Sequence, residues 1–201
     1  MKTLILVDVQ VDFIPGGSLE VPDGDSIIGP LNRVQDRFDL VVATQDWHPP
    51  DHVSFASHHK GKKPYDVIEV HGMAQTLWPD HCVQGSKGAG FHPDLDSNRI
   101  EAIFRKGTAR EIDSYSGFYD NGHLKSTGLA GYLREKGARD LYFAGLAADI
   151  CVYFTIKDAL EEGFKAAVLT DGVCALDAEG YEKKRRELEE KGAAFVSTGE
   201  L

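Results

Sequence analysis

Short apolar runs alternate along this chain with stretches of helical periodicity, and that alternation limits the fold more than any other feature. The runs are Leu4–Val7, Leu40–Ala43, Ile100–Phe104, Leu141–Ala144, Ala166–Leu169 and Ala193–Val196. Continuous apolar segments of this length belong to strands covered on both faces, as in parallel sheets. Between them, Ile27, Ile28, Leu31, Val34 and Phe38 recur at helical spacing within 25–38. Leu129, Tyr132 and Leu133 do so within 125–137, and Ile150, Val152, Tyr153, Ile156 and Leu160 within 150–163. Gly137 and Gly163 close the last two patterns with the residue that best tolerates a left-handed cap. Residues 178–191 are rich in Glu, Lys and Arg, as a solvated surface helix is. The pattern predicts an α/β fold of doubly wound, Rossmann-like, three-layer type. A six-stranded parallel sheet carries helices on both faces, joined by right-handed crossovers. A length of 201 residues suits one domain over 1–201.

One stretch breaks the rhythm. Residues 46–99 show no clear helical or strand period, yet hold seven of the eight histidines and both tryptophans. A connection of that length inside a compact fold is functional or disordered. Its aromatic and histidine content selects the first, and it reads as a long active-site insertion. The net charge of −10 disfavours binding to phosphate backbones, so no nucleic-acid partner is expected. No apolar run approaches the roughly 20 residues of a membrane span, so no membrane is expected either. The opening Met1-Lys2-Thr3-Leu4-Ile5-Leu6-Val7-Asp8 lacks the length and cleavage site of a signal peptide. Cys82, Cys151 and Cys174, odd in number and widely spaced, form no disulfide framework. The expectation is a cytoplasmic protein with free thiols.

In open parallel sheets, ligands bind outside the carboxyl ends of the strands. There the first strand delivers Asp8, the second Asp46 with His48, the third Lys106 and the fourth Cys151. Ionisable groups are costly to bury, so core packing does not account for them. Cys151 lies near the start of a predicted helix, where free N–H groups and the helix dipole favour a thiolate. Lys106 is expected to favour it further, and Asp8 to exchange its proton. Thiol, carboxylate and cation together form an activated nucleophile. Asp46 and His48, two apart on extended backbone, point to one side. With His81 they form a metal-ligand set that leaves coordination positions open and suits zinc, iron or manganese. His52 and Ser54 are further candidates beside it. Phe13, Trp78 and Tyr115 lie near these segments and supply walls for a flat heteroaromatic small molecule.

Six motifs then carry a resemblance. They are Asp8-Val9-Gln10-Val11-Asp12-Phe13, Thr44-Gln45-Asp46-Trp47-His48-Pro49, Trp78-Pro79-Asp80-His81-Cys82-Val83, Phe104-Arg105-Lys106-Gly107, Tyr115-Ser116-Gly117-Phe118 and Gly145-Leu146-Ala147-Ala148-Asp149-Ile150-Cys151-Val152. In order and extent they resemble the nicotinamidase/pyrazinamidase family of isochorismatase-like cysteine hydrolases. Val11 stands where many relatives carry Asn, and no catalytic position departs. The resemblance implies a catalytic triad of Asp8, Lys106 and Cys151. It implies metal ligands Asp46, His48 and His81, with zinc first and iron or manganese as alternatives, and ring walls Phe13, Trp78 and Tyr115. It further implies a cis peptide at Leu146–Ala147 and an oxyanion hole from the N–H groups of Ala147 and Cys151. The implied reaction converts nicotinamide to nicotinate and ammonia, and pyrazinamide to pyrazinoate, within NAD salvage. A homo-oligomer is compatible with the sequence, which does not set the oligomeric state.

Overall fold

The computed structural model describes residues Met1 to Leu201. Its strands are β1 (Lys2–Val7), β2 (Leu40–Asp46), β3 (Val67–Val70), β4 (Met73–Thr76), β5 (Ile100–Lys106), β6 (Asp140–Gly145), β7 (Lys165–Val173) and β8 (Ala194–Val196). Its α-helices are α1 (Ile28–Val34), α2 (Leu129–Glu135), α3 (Tyr153–Glu161) and α4 (Ala178–Glu190). Six strands form one parallel sheet in the order β5-β2-β1-β6-β7-β8, as the apolar runs predict. β3 and β4 stand apart as an antiparallel pair.

Alternate residues of each strand feed opposite faces. Leu4 and Leu6 of β1 pack with Val41, Ala43 and the Ile28, Leu31 and Val34 face of α1. Ile5 and Val7 pack with Val42, with Leu129 and Leu133 of α2, with Ile156 of α3 and with Leu188 of α4. Burying each such side chain contributes roughly 1.5–3 kcal/mol, which makes these two layers the main source of stability. No helix is long and apolar enough to cross a membrane.

The strand order reverses direction at β1, between β2 and β6. That is the switch point at which such sheets open a crevice beyond their carboxyl ends. Val7 pairs with Gly145 there, and the Leu146 N–H donates to the Val7 carbonyl at 2.9 Å. Gly145 has φ +127°, and a Cβ on it would sit 1.9 Å from the Val7 carbonyl oxygen. Only glycine lets the two strands meet this closely where they turn into the site.

Three expectations are corrected. The helix expected over 25–38 is an α-helix only at Ile28–Val34, flanked by 3-10 turns at Gly24–Ile27 and Gln35–Arg37. Pro30 has no N–H and is tolerated only in the first turn of an α-helix, so α1 starts just before it. The helix expected over 150–163 begins as α at Tyr153, after a π-helical turn over Ala148–Val152. The segment expected to be irregular over 46–99 contains the β3–β4 hairpin. Its two-residue turn, His71-Gly72, has φ +52° and +76°, the mirror-image geometry that suits strand twist. Its strands are only partly buried, so their apolar signal is weak.

Gly145→Ala is expected to lose at least about 1–3 kcal/mol of stability, because the positive φ and the Val7 contact both oppose a side chain. Urea unfolding measures this. A loss within about 0.5 kcal/mol of zero, the range of neutral surface changes, contradicts the close approach.

Candidate active site

Asp8 is the first residue beyond β1, held at φ +49°. Lys106 is the last residue of β5, and Cys151 lies in the π-helical turn that follows β6. The Lys106 side chain is fully enclosed, and its Nζ lies 2.9 Å from Asp8 Oδ2 and 3.0 Å from Asp46 Oδ1. It also donates to the Ser114 carbonyl at 3.0 Å and to Cys151 Sγ at 3.5 Å. Thr44 Oγ1 donates to Asp8 Oδ1 at 2.6 Å.

Burial alone would strip the proton from Lys106. Asp46, Asp8 and Cys151 reverse that and hold its pKa well above the ordinary value. Burial raises the Asp8 carboxyl above its usual range, against the lowering by Lys106. Asp46 is held well below its usual value: burial opposes this, and His48 and Lys106 overcome it. Burial pushes the Cys151 thiol well up, and the attraction of Lys106 is too small to cancel it. Lys106 Nζ, 3.5 Å from Cys151 Sγ, is the nearby opposite charge that favours its deprotonated form.

Asp46 ends β2, and a short parallel bridge between His48 and Val83 brings the 78–84 segment alongside. His48 Nε2 lies 2.9 Å and His81 Nε2 3.4 Å from Asp46 Oδ2. The other ring nitrogens are already engaged: His48 Nδ1 donates to the Gly107 carbonyl at 3.0 Å and His81 Nδ1 to the Pro79 carbonyl at 2.7 Å. With Nδ1 of each ring donating to a carbonyl, both rings turn Nε2 toward the same carboxylate oxygen. Two imidazole nitrogens and a carboxylate oxygen, all buried, then converge on one point that a cation can occupy in place of a proton. The donor set thus fits a divalent metal, and one ligand atom from each residue lies within 4.8 Å of the others.

The surroundings keep these ligands in place. Gln10 grips the Asp46 backbone twice, its Nε2 donating to the Asp46 carbonyl and its Oε1 accepting from the Asp46 N–H, each at 2.8 Å. Gly107 has φ +63°, and a Cβ there would lie 2.4 Å from His48 Cε1. His52 lies outside this set, and with His48 and Asp113 it forms a second group whose ligand atoms lie within 4.8 Å of one another. His52 Nδ1 accepts from Ser54 Oγ at 2.7 Å, and its Nε2 faces the Ile112 carbonyl at 3.3 Å. Burial lowers the His52 pKa to about 4, so the ring is neutral with both nitrogens engaged.

Beside these groups lies a narrow, mostly apolar pocket. Phe13, Trp78 and Tyr115 line it with Asp46, His81, Ala147 and Cys151, so the structure brings the sequence-predicted residues to one cleft. Larger surface clefts do not reach Cys151. The Tyr115 hydroxyl accepts from Trp78 Nε1 at 3.3 Å and from Gln75 Nε2 at 3.1 Å, which fixes two walls relative to each other. The Leu146–Ala147 peptide is cis, and the buried Ala147 N–H donates to no acceptor in the chain's backbone. Sequence reasoning missed Leu19, Asp113, Ile150 and Leu176, which also line the pocket. For Leu176 a signal existed: it follows β7 at the same sheet edge as the other site residues.

The sheet and the site together are those of an isochorismatase-type α/β protein. The family model described as the isochorismatase domain matches residues 2–200, and the chain belongs to that family. It is 49% identical over 177 residues to the nicotinamidase of Acinetobacter baylyi, covering 88% of this chain and 83% of the relative. The structure of a nicotinamidase/pyrazinamidase from Acinetobacter baumanii superposes with a TM-score of 0.96 at 43% identity, covering 100% of this chain and 97% of that one. A pyrazinamidase of Pyrococcus horikoshii, solved in complex with zinc, superposes with a TM-score of 0.80 at 36% identity, covering 98% of each chain.

Asp46→Ala is expected to leave the protein folded by circular dichroism and to abolish stoichiometric metal, read by elemental analysis of protein purified without chelator. Full retention of metal would refute the ligand set. Lys106→Ala strands two buried carboxylates and is expected to cost about 3–5 kcal/mol in denaturant unfolding.

Proposed function

We propose that the protein hydrolyses nicotinamide to nicotinate and ammonia, and pyrazinamide to pyrazinoate, through a thioester on Cys151, in the salvage of NAD. The observation that carries this reading is one enclosed cluster: a thiol and a carboxylate around one buried ammonium nitrogen, opening on a pocket walled by Phe13, Trp78 and Tyr115. The 49% identity to a nicotinamidase over most of the chain supports the substrate. The free thiols support a reducing compartment, the cytoplasm.

Each step has a group of the chain to perform it. The flat ring enters between Phe13 and Trp78, with Tyr115 closing the pocket edge. Asp8 takes the proton of Cys151, and the sulfur bonds to the carboxamide carbon. The N–H groups of Ala147 and Cys151 hold the resulting oxyanion. Asp8 returns the proton to the nitrogen, the C–N bond breaks and ammonia leaves. Water then attacks the thioester carbon and gives a proton to Asp8. The C–S bond breaks, Cys151 regains that proton, and the product leaves as nicotinic acid, which loses its remaining proton to solvent to give nicotinate. Lys106 stays protonated throughout and balances the charge as it passes between Asp8 and sulfur. Asp46, His48 and His81 would hold a divalent metal, zinc first, which supplies a Lewis acid to orient the ring.

Purified wild type is expected to release ammonia from nicotinamide, and Cys151→Ala to lose on the order of 10⁴-fold or more in kcat. Chelation should remove activity and added zinc should restore it. No ammonia from metal-replete protein with a reduced Cys151 would refute the reading, while activity indifferent to complete metal removal would refute the metal's part.

A further inference from the structure

Asp149 is a buried carboxylate that the proposed chemistry does not use. It is 5% exposed and lies two residues before Cys151, in the same π-helical turn. Its oxygens face away from the reacting groups. Oδ1 accepts the Leu176 N–H at 2.9 Å and Oδ2 accepts the Asp177 N–H at 3.1 Å. Both donors belong to the segment between β7 and α4. One further bond runs the other way across this seam, from the Ala148 N–H to the Cys174 carbonyl at 2.8 Å. Lys184 of α4 donates to the backbone carbonyl of Asp149 at 2.6 Å.

The seam joins two parts of the pocket that the chain itself does not connect. The 148–152 turn supplies Ile150 and Cys151, and the 174–177 segment supplies Leu176. Apolar packing touches that segment at Cys174 and Leu176, which lie against the core cluster that includes Phe13, Leu19 and Ala147, while Asp177 has no apolar side chain to anchor it. Of the residues of α4 just after it, only Leu188 is buried. A carboxylate accepting two consecutive backbone N–H groups is a charge-assisted, two-point attachment. No other side chain supplies a hydrogen bond to either amide.

We infer that Asp149 is a positioning residue whose carboxylate holds the Leu176 wall of the ring pocket against the turn that carries Cys151. This rests on the proposed reaction and adds to it a determinant of how tightly the ring is held. The nucleophile keeps its own supports when the clamp is lost. Ile150 and Val152 still donate to the Ala147 carbonyl, and Lys106 still reaches Cys151 Sγ. Loss of the clamp therefore acts on ring binding more than on the chemical step.

The test is a double-mutant cycle with Asp149→Asn and Leu176→Ala, read by nicotinamide kinetics and by hydrogen exchange of the 174–178 segment. Asn can accept only one of the two N–H groups and turns a donor toward the other. Each single variant is expected to raise KM roughly tenfold, in the range for loss of an apolar pocket contact, with kcat within about threefold of wild type. The double variant should have nearly the KM of the worse single, because the wall is no longer held once the clamp is gone. Exchange at the Leu176 and Asp177 amides should be slow in wild type and fast in Asp149→Asn. Fully additive KM effects, a fall in kcat at unchanged KM, or retained protection in Asp149→Asn overturns the clamp. If Asp149→Asn does not fold, an unchanged KM in Leu176→Ala or fast exchange in wild type overturns it. Wild type that releases no ammonia counts against the reaction, and the exchange measurement still decides the clamp.

Discussion

Lys106 carries its ammonium into a space closed to solvent, where two carboxylates, a carbonyl and a thiol sulfur surround it. Taking that cation out of water costs several kcal/mol, and only well-placed opposite charge offsets it. Here the offset depends on strand register. Lys106 and Asp46 are partners in the β2–β5 ladder, and Asp8 follows the neighbouring strand β1. A slip of one residue would turn Lys106 to the opposite face. Conversely, without the cation, Asp8 and Asp46 would face each other unbalanced in the interior. Sheet register and site electrostatics stabilise the same arrangement.

A second set of constraints acts on orientation. Gly107 and Pro79 use their carbonyls to engage Nδ1 of His48 and His81, and so fix that Nε2 of each ring faces Asp46. Gln10 fixes the Asp46 backbone from the end of β1. The three ligand types are common, but their convergence depends on two backbone carbonyls and one glutamine side chain from three separate segments. In the same way, Tyr115 and Trp78 are held as walls by hydrogen bonds through the hydroxyl.

The sheet was legible because each central strand is buried on both faces and appears as an unbroken apolar run. Helix limits were less so: Pro30 and the π-helical turn before Tyr153 shift where α geometry begins, and periodicity does not report either. The β3–β4 hairpin escaped because its side chains are only half covered. Asp8, Asp46, Lys106 and Cys151 were legible as ionisable residues at strand ends, where core packing gives them no reason to be. Asp113 and Leu19 carried no such mark, since a lone Asp and a lone Leu in loops are ordinary. The depth of Cys151 carried no mark either: nearby charge can be read from motif order, but desolvation depends on everything packed around the sulfur.

That depth has a consequence for the lifetime of the protein. Attack on sulfur by peroxide or by a disulfide needs an accessible thiolate, and susceptibility follows both exposure and deprotonation. Cys151 is 6% exposed. The idle sulfur is then shielded by what packs around it, and a reactant reaches it only through the pocket that admits the ring.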